Sequence, residues 1–153
     1  METKQSAKGA KARTPKAAPG LEDAHYAALA GFRRALRQVM ADSESICAGH
    51  GLTTQRFQAL LAIRAFPGQA MSVGDLADEL VLKHHSAVEL AGRLEQAGLV
   101  ARKGDPQDKR RVLLSLTALG AERLSDLARA HSLELGKTRD AMIETLKTLP
   151  GGN

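Results

Sequence analysis

The sequence predicts a mainly α-helical chain carrying one small β-hairpin, and three observations carry that prediction. The core material is aliphatic: 43% of the 153 residues are hydrophobic, tryptophan is absent, and only Tyr26, Phe32, Phe57 and Phe66 supply aromatic rings. Such a Leu- and Ala-rich core leans towards helices. Apolar residues also recur at spacings of three and four through most of the chain, the helical period. The exception is a stretch near residue 110, where two alternating segments flank GDPQDKRR (104–111), the pattern of strand, turn and strand.

The helices follow in order. Leu29, Phe32, Leu36, Val39 and Ile46, with Met40 and Cys47 alongside, mark a long amphipathic helix over about 21–47, which Gly49 and Gly51 end. A second opens at Thr53 or Thr54 as N-cap, buries Phe57, Leu60 and Leu61, and stops at Pro67-Gly68. Ser72 then caps a short helix, with Asp75 in an S-x-x-D box and Val73, Leu76, Ala77 and Leu80 as its stripe. After a tight break, Ala87, Leu90, Ala91 and Leu94 repeat the stripe, and Gly98 caps the end. Two short helices joined in this way read as a helix-turn-helix. The other face of the second helix presents His85, Ser86, Glu89 and Arg93, with His84 and Val88 beside them, as candidates to read base edges.

Residues 99–103 and 111–116 form the strands, with Val112, Leu114 and Leu116 on one side of the second. A helix-turn-helix followed by a hairpin is a winged helix, which explains why a turn tip carries Lys109, Arg110 and Arg111. Arg110 enters the minor groove, whose negative potential attracts a guanidinium, and Asp108 holds that side chain extended. Arg102 and Lys103 on the first strand join this contact set. Beyond the wing, Thr117 caps a helix carrying Leu124, Leu127, His131 and Leu135 to about Gly136. A last helix carries Met142, Ile143, Leu146 and Leu149 before Pro150. The stripes at the two ends of the chain call for a partner, most simply a second copy.

The domain plan is thus a basic, disordered tail over 1–20 and one domain over 21–150. The winged helix-turn-helix occupies about 53–117, between dimerisation helices at about 21–47 and 118–149. Net charge is +5, but the tail holds five cations against Glu2 alone, a net +4, which leaves 17 basic and 16 acidic residues, or +1, for the rest. The tail reads either as an arm along a phosphate backbone or as a solubilising leader. No run of about 18 apolar residues and no signal-peptide core is present, so the expectation is a soluble cytoplasmic protein with no membrane role. A single cysteine, Cys47, agrees with a reducing compartment.

LADELVLKHHSAVELAGRLEQAGLVARKGDPQDKRRVLLSLTALG (76–120) resembles the central region of MarR family transcriptional regulators. There a recognition helix ending RLE..GLV leads into a D-P-x-D-x-R wing and then L.LT..G. Asp105, Pro106, Asp108, Arg110, Leu116, Thr117 and Gly120 stand at the matching places, and the likeness covers about residues 50–125. The resemblance implies a homodimer on a pseudopalindromic DNA operator, usually a repressor released by a small-molecule effector or by oxidation. It places a ligand crevice between dimerisation helices and reading head, near His50, Phe57 and Phe66. The chain departs from the family in carrying Val88 and Glu89 where many members have Thr then Arg, and Gly92 where they often have Asp. Glu89 either accepts from cytosine N4 or pairs with Arg93 one turn on.

Other chemistry finds little foothold. Some family members sense peroxide through a cysteine near the start of the first long helix, whereas Cys47 stands near its end and reads as a packing residue. The five histidines have no metal-ligand spacing, and no cofactor is expected. Neither G-x-S-x-G, a phosphate loop nor H-E-x-x-H occurs, so an enzyme is not expected. The rival reading is a winged helix used only for protein contacts.

Overall fold

The computed structural model describes residue 20, residues 22–108 and residues 111–149. Residues 1–19 of the expected disordered tail, the expected DNA contacts Lys109 and Arg110, and Pro150 lie outside the described residues. The elements run α1 (Asp23–Gly49), α2 (Thr54–Ala65), a single 3-10 turn (Pro67–Gln69), β1 (Ala70–Ser72), α3 (Val73–Glu79), α4 (His84–Gln96), β2 (Val100–Gly104), β3 (Val112–Leu116) and α5 (Ala118–Thr148).

Local chemistry starts these helices where the sequence places the caps. Thr53 accepts from the Arg56 amide at 3.3 Å, and Thr117 accepts from the Gly120 amide at 3.0 Å. At α3 the box is reciprocal: Ser72 Oγ accepts from the Asp75 amide, and the Asp75 carboxylate accepts from the Ser72 amide, both at 3.1 Å. Orphan amides of a first turn are satisfied in this way, typically worth about 1 kcal/mol per cap.

Behind the caps, Phe57, Leu60, Ile63, Leu76, Leu90, Leu94, Leu114 and Leu127 converge on one core. Leu61 departs from expectation, being 44% exposed while Ala59 and Ile63 are buried. One residue is 100° of helix rotation, and the stripe through Leu60 and Ile63 leaves Leu61 on the outer side. The sheet adds β1, which the sequence does not foreshadow because three residues are too few to show alternation. Its order is β1-β3-β2, all antiparallel, and Leu114 pairs with Met71 on one side and Arg102 on the other.

The C-terminal region is one helix of 31 residues, where the sequence predicts two with a break at Gly136. A lone glycine costs about 1 kcal/mol inside a helix, and packing against α1 along its length outweighs that. The two long helices are antiparallel, since Ser43 meets His131 at one end and Gly31 lies against Thr145 at the other. Part of the apolar stripe is thereby satisfied within one chain: Phe32, Leu36 and Val39 are half-buried. Leu29, Met40, Leu133, Leu135, Ile143 and Leu146 stay between 42% and 70% exposed.

Gly120 locks α5 onto the wing. A Cβ there would sit 1.9 Å from the Leu99 carbonyl oxygen, while Thr117 donates its hydroxyl to Gly98 O at 2.6 Å and its amide to Leu99 O at 3.1 Å. The L.LT..G pattern is therefore a joint between the end of α4, the end of β3 and the start of α5.

Candidate nucleic-acid interface

α4 presents one buried face and one exposed face. Ala87, Leu90, Ala91 and Leu94 are buried in the core, while His84, His85, Val88, Glu89 and Arg93 are exposed on the opposite side. Ser86, expected on the outer face, is half-buried at its edge. The helix closes with Gly98 at φ +69°, where the Leu99 amide donates to Leu94 O. That closure turns the chain directly into β2 and fixes the wing beside the outer face of α4.

Three arginines of this surface are paired with the chain's own carboxylates. Arg93 Nη2 lies 3.4 Å from Glu89 Oε2 one turn earlier, with both side chains more than half exposed. Arg102 on β2 reaches across Gly92 to Glu95, with Nε 2.9 Å from Oε2. Arg111 Nη2 lies 3.3 Å from Asp75 Oδ2 at the start of α3. Arg111, one of the expected DNA contacts, stays half exposed and also ties the root of the wing to the helix-turn-helix. Asp75 is held below the ordinary carboxylate range, first by the Ser72 hydroxyl, against opposing burial, with the Ser72 amide and the Arg111 charge adding to the effect. Lys103 is exposed on the wing.

The wing tip is closed by two backbone bonds and one to a side chain. The Asp105 amide donates to Arg111 O at 3.0 Å, the Arg111 amide to Asp108 O at 2.9 Å, and the Gln107 amide to Asp105 Oδ1 at 2.8 Å. Asp105 thus builds the turn, and Asp108 stands exposed on it.

The three candidate ligand residues do not come together. His50 is exposed beside Arg56 and Leu119, and Phe66 lies at the root of the wing near Pro106 and Arg111. Phe57 is buried, with its ring stacked on His131 at 4.1 Å between centroids. Next to His131 is a cavity of about 70 Å³ between α1 and α5, lined by Val39, Ser43, Ile46 and Leu135 among others. The Leu127 carbonyl, 2.8 Å from His131 Nδ1, can only accept, so Nδ1 carries a proton, and Nε2 lies 2.9 Å from the Ser43 hydroxyl, which can donate to it or accept from it. The sequence signal for this pair is two polar side chains set within apolar stripes.

Cys47 is 1% exposed, 4.0 Å from His131 Nε2. Burial pushes its thiol up, against smaller opposing effects of the Thr54 and Ser43 hydroxyls. Among the described residues no group of His, Cys, Asp and Glu is arranged to hold a metal, and no helix is long and apolar enough to cross a membrane.

A MarR family model matches residues 50–111, from the end of α1 to the wing. AbsC of Streptomyces coelicolor, described as a MarR family transcriptional regulator, superposes with a TM-score of 0.65 at 24% identity, over 83% of this chain and 84% of AbsC. Over residues 50–111 the chain is similar to the MarR family. The transcriptional activatory protein BadR of Rhodopseudomonas palustris is 41% identical over 71 residues, 46% of this chain and 41% of BadR. The chain therefore matches well under half of that relative's length. A mutant MarR of E. coli, solved with operator DNA, shares the fold with a TM-score of 0.58 at 23% identity, over 78% of this chain and 79% of that one.

Proposed function

We propose that the chain is a sequence-specific DNA-binding transcriptional regulator that acts as a homodimer on a pseudopalindromic operator. The observation that carries this reading is the exposed outer face of α4, held beside a closed wing whose strands and tip carry Arg102, Lys103 and the 109–111 cations. A helix of this kind reads base edges in the major groove while wing cations set register on the backbone and minor groove. Arg110, aimed by Asp108, is assigned to the groove. The operator complex of a MarR with the same fold supports this docking. The homodimer is supported by the exposed apolar side chains left on α1 and α5, which a second copy covers.

Repression relieved by a small-molecule effector is the regulatory reading, supported by the Ser43–His131 cavity where the long helices meet above the reading head. Activation is the second reading of the sign, favoured by the name of BadR. Fluorescence titration against duplex at several salt concentrations tests the DNA reading against a protein-only winged helix. The expected result is log affinity falling linearly with log salt, with Arg110→Ala lowering the slope by about one. No salt-dependent binding to any duplex contradicts it. A reporter behind a recovered site, with and without the protein, decides the sign.

A further inference from the structure

We infer that Glu89 and Glu95 set how strongly this protein discriminates its own site from random DNA, by holding Arg93 and Arg102 in ion pairs that only a matched sequence opens at a profit. The inference rests on the DNA-binding reading. Each carboxylate sits on α4 itself: Glu89 lies 3.4 Å from Arg93 on the exposed face, and Glu95 lies 2.9 Å from the arginine that β2 sends across Gly92. A Cβ at Gly92 would meet Arg102 Nη2 at 3.8 Å, an ordinary contact, which places the guanidinium against that turn of α4.

Exposed pairs of this kind contribute about 0–1 kcal/mol to a fold, so stability gives no strong reason for them. Beside a polyanion their effect is larger. Affinity for random duplex comes almost wholly from cations displacing counterions from phosphates. A carboxylate next to each arginine removes a phosphate contact and repels the backbone as well. Beyond the tail the chain carries 17 basic and 16 acidic side chains, so no large excess of charge masks the loss. At a matched site the opened pair is offset on both sides, because guanidinium donates to guanine O6 and N7 and carboxylate accepts from cytosine N4. Each acid thus penalises random binding more than matched binding.

The test uses the full chain and two probes: a random-sequence duplex, and the tightest fragment recovered from a random pool by the same protein. Glu89→Gln and Glu95→Gln are each expected to bind the random duplex about three- to tenfold tighter at low salt, with a slope steeper by about one. The recovered fragment should gain less, so the ratio between the probes falls. Adding Arg102→Gln to Glu95→Gln should abolish the gain. Glu144→Gln, the same charge change in an ion pair at the far end of α5, should leave both probes unchanged. If the parent binds duplex but both glutamine variants keep its random affinity and slope, or Glu144→Gln moves them equally, this inference fails alone. A parent that binds no duplex at any salt overturns the DNA-binding reading and this inference with it.

Discussion

Val81 and Gly98 occupy equivalent places at the ends of α3 and α4. In each, the residue at positive φ donates to the carbonyl three back, and the leucine after it donates to the carbonyl five back: Leu82 to Ala77 and Leu99 to Leu94. Leu52 closes α1 on Cys47 in the same way, after Gly51. The helix end needs a left-handed residue there, and Val81 adopts φ +54° with 91% of its surface exposed. An L-residue in that region costs about 1–2 kcal/mol. Glycine relieves this but brings about 0.5–1 kcal/mol of extra chain entropy on folding. Val81→Gly is therefore expected to stabilise the protein by up to about 1 kcal/mol, seen as a higher denaturant midpoint with an unchanged slope; a lower midpoint contradicts it. Cys47 gives the opposite kind of expectation. A thiol 1% exposed and pushed up by burial is a poor nucleophile, so Cys47→Ser should leave DNA release under peroxide unchanged. A peroxide response that the substitution abolishes would overturn this. The sequence shows the caps and the cysteine's place in the helix, but it cannot show that Cys47 meets His131 across 84 residues of separation.

At the scale of elements, the wing is braced to α3 as well as joined to α4. Asp75 belongs to the capping box of α3 and also receives Arg111 from the root of the wing. Because its carboxyl lies lower in the folded chain than in the unfolded one, its contribution is present above about pH 4 and is lost as pH falls through the folded value. Asp75→Asn should cost about 1 kcal/mol near neutrality and flatten the loss of stability between about pH 5 and 3. A variant with the parent's acid limb would show that the carboxylate has no such role. The elements legible in the sequence are those with local signals: the caps at Thr53, Ser72 and Thr117, the stripe of α4, and the hairpin around Asp105. Where non-local packing decides, the sequence is silent or misleading. Three residues of β1 acquire their strand only by pairing with β3, α5 runs through Gly136 because α1 lies along it, and Arg111 pairs with Asp75, 36 residues away in sequence and 3.3 Å away in space.

The whole molecule combines a winged-helix head, built by α2 to β3, with a pair of long helices on which several apolar side chains are uncovered. The head's likeness to MarR regulators is legible over residues 76–120, because the stripe of α4, the turn chemistry of the wing and the Gly120 joint are written into short motifs. The helix pair offers only a period, since any aliphatic side chain of suitable volume fits such a seam. A homodimer places two α4 helices on one face of the duplex, about one helical turn or a multiple of it apart. Selection of bound fragments from a random duplex pool by the full chain tests this central claim most directly. The account predicts enrichment of a sequence made of two inverted half-sites whose centres are separated by about 10 base pairs or a multiple of that spacing. Recovered fragments with no common sequence, or with a single unrepeated half-site, would contradict it.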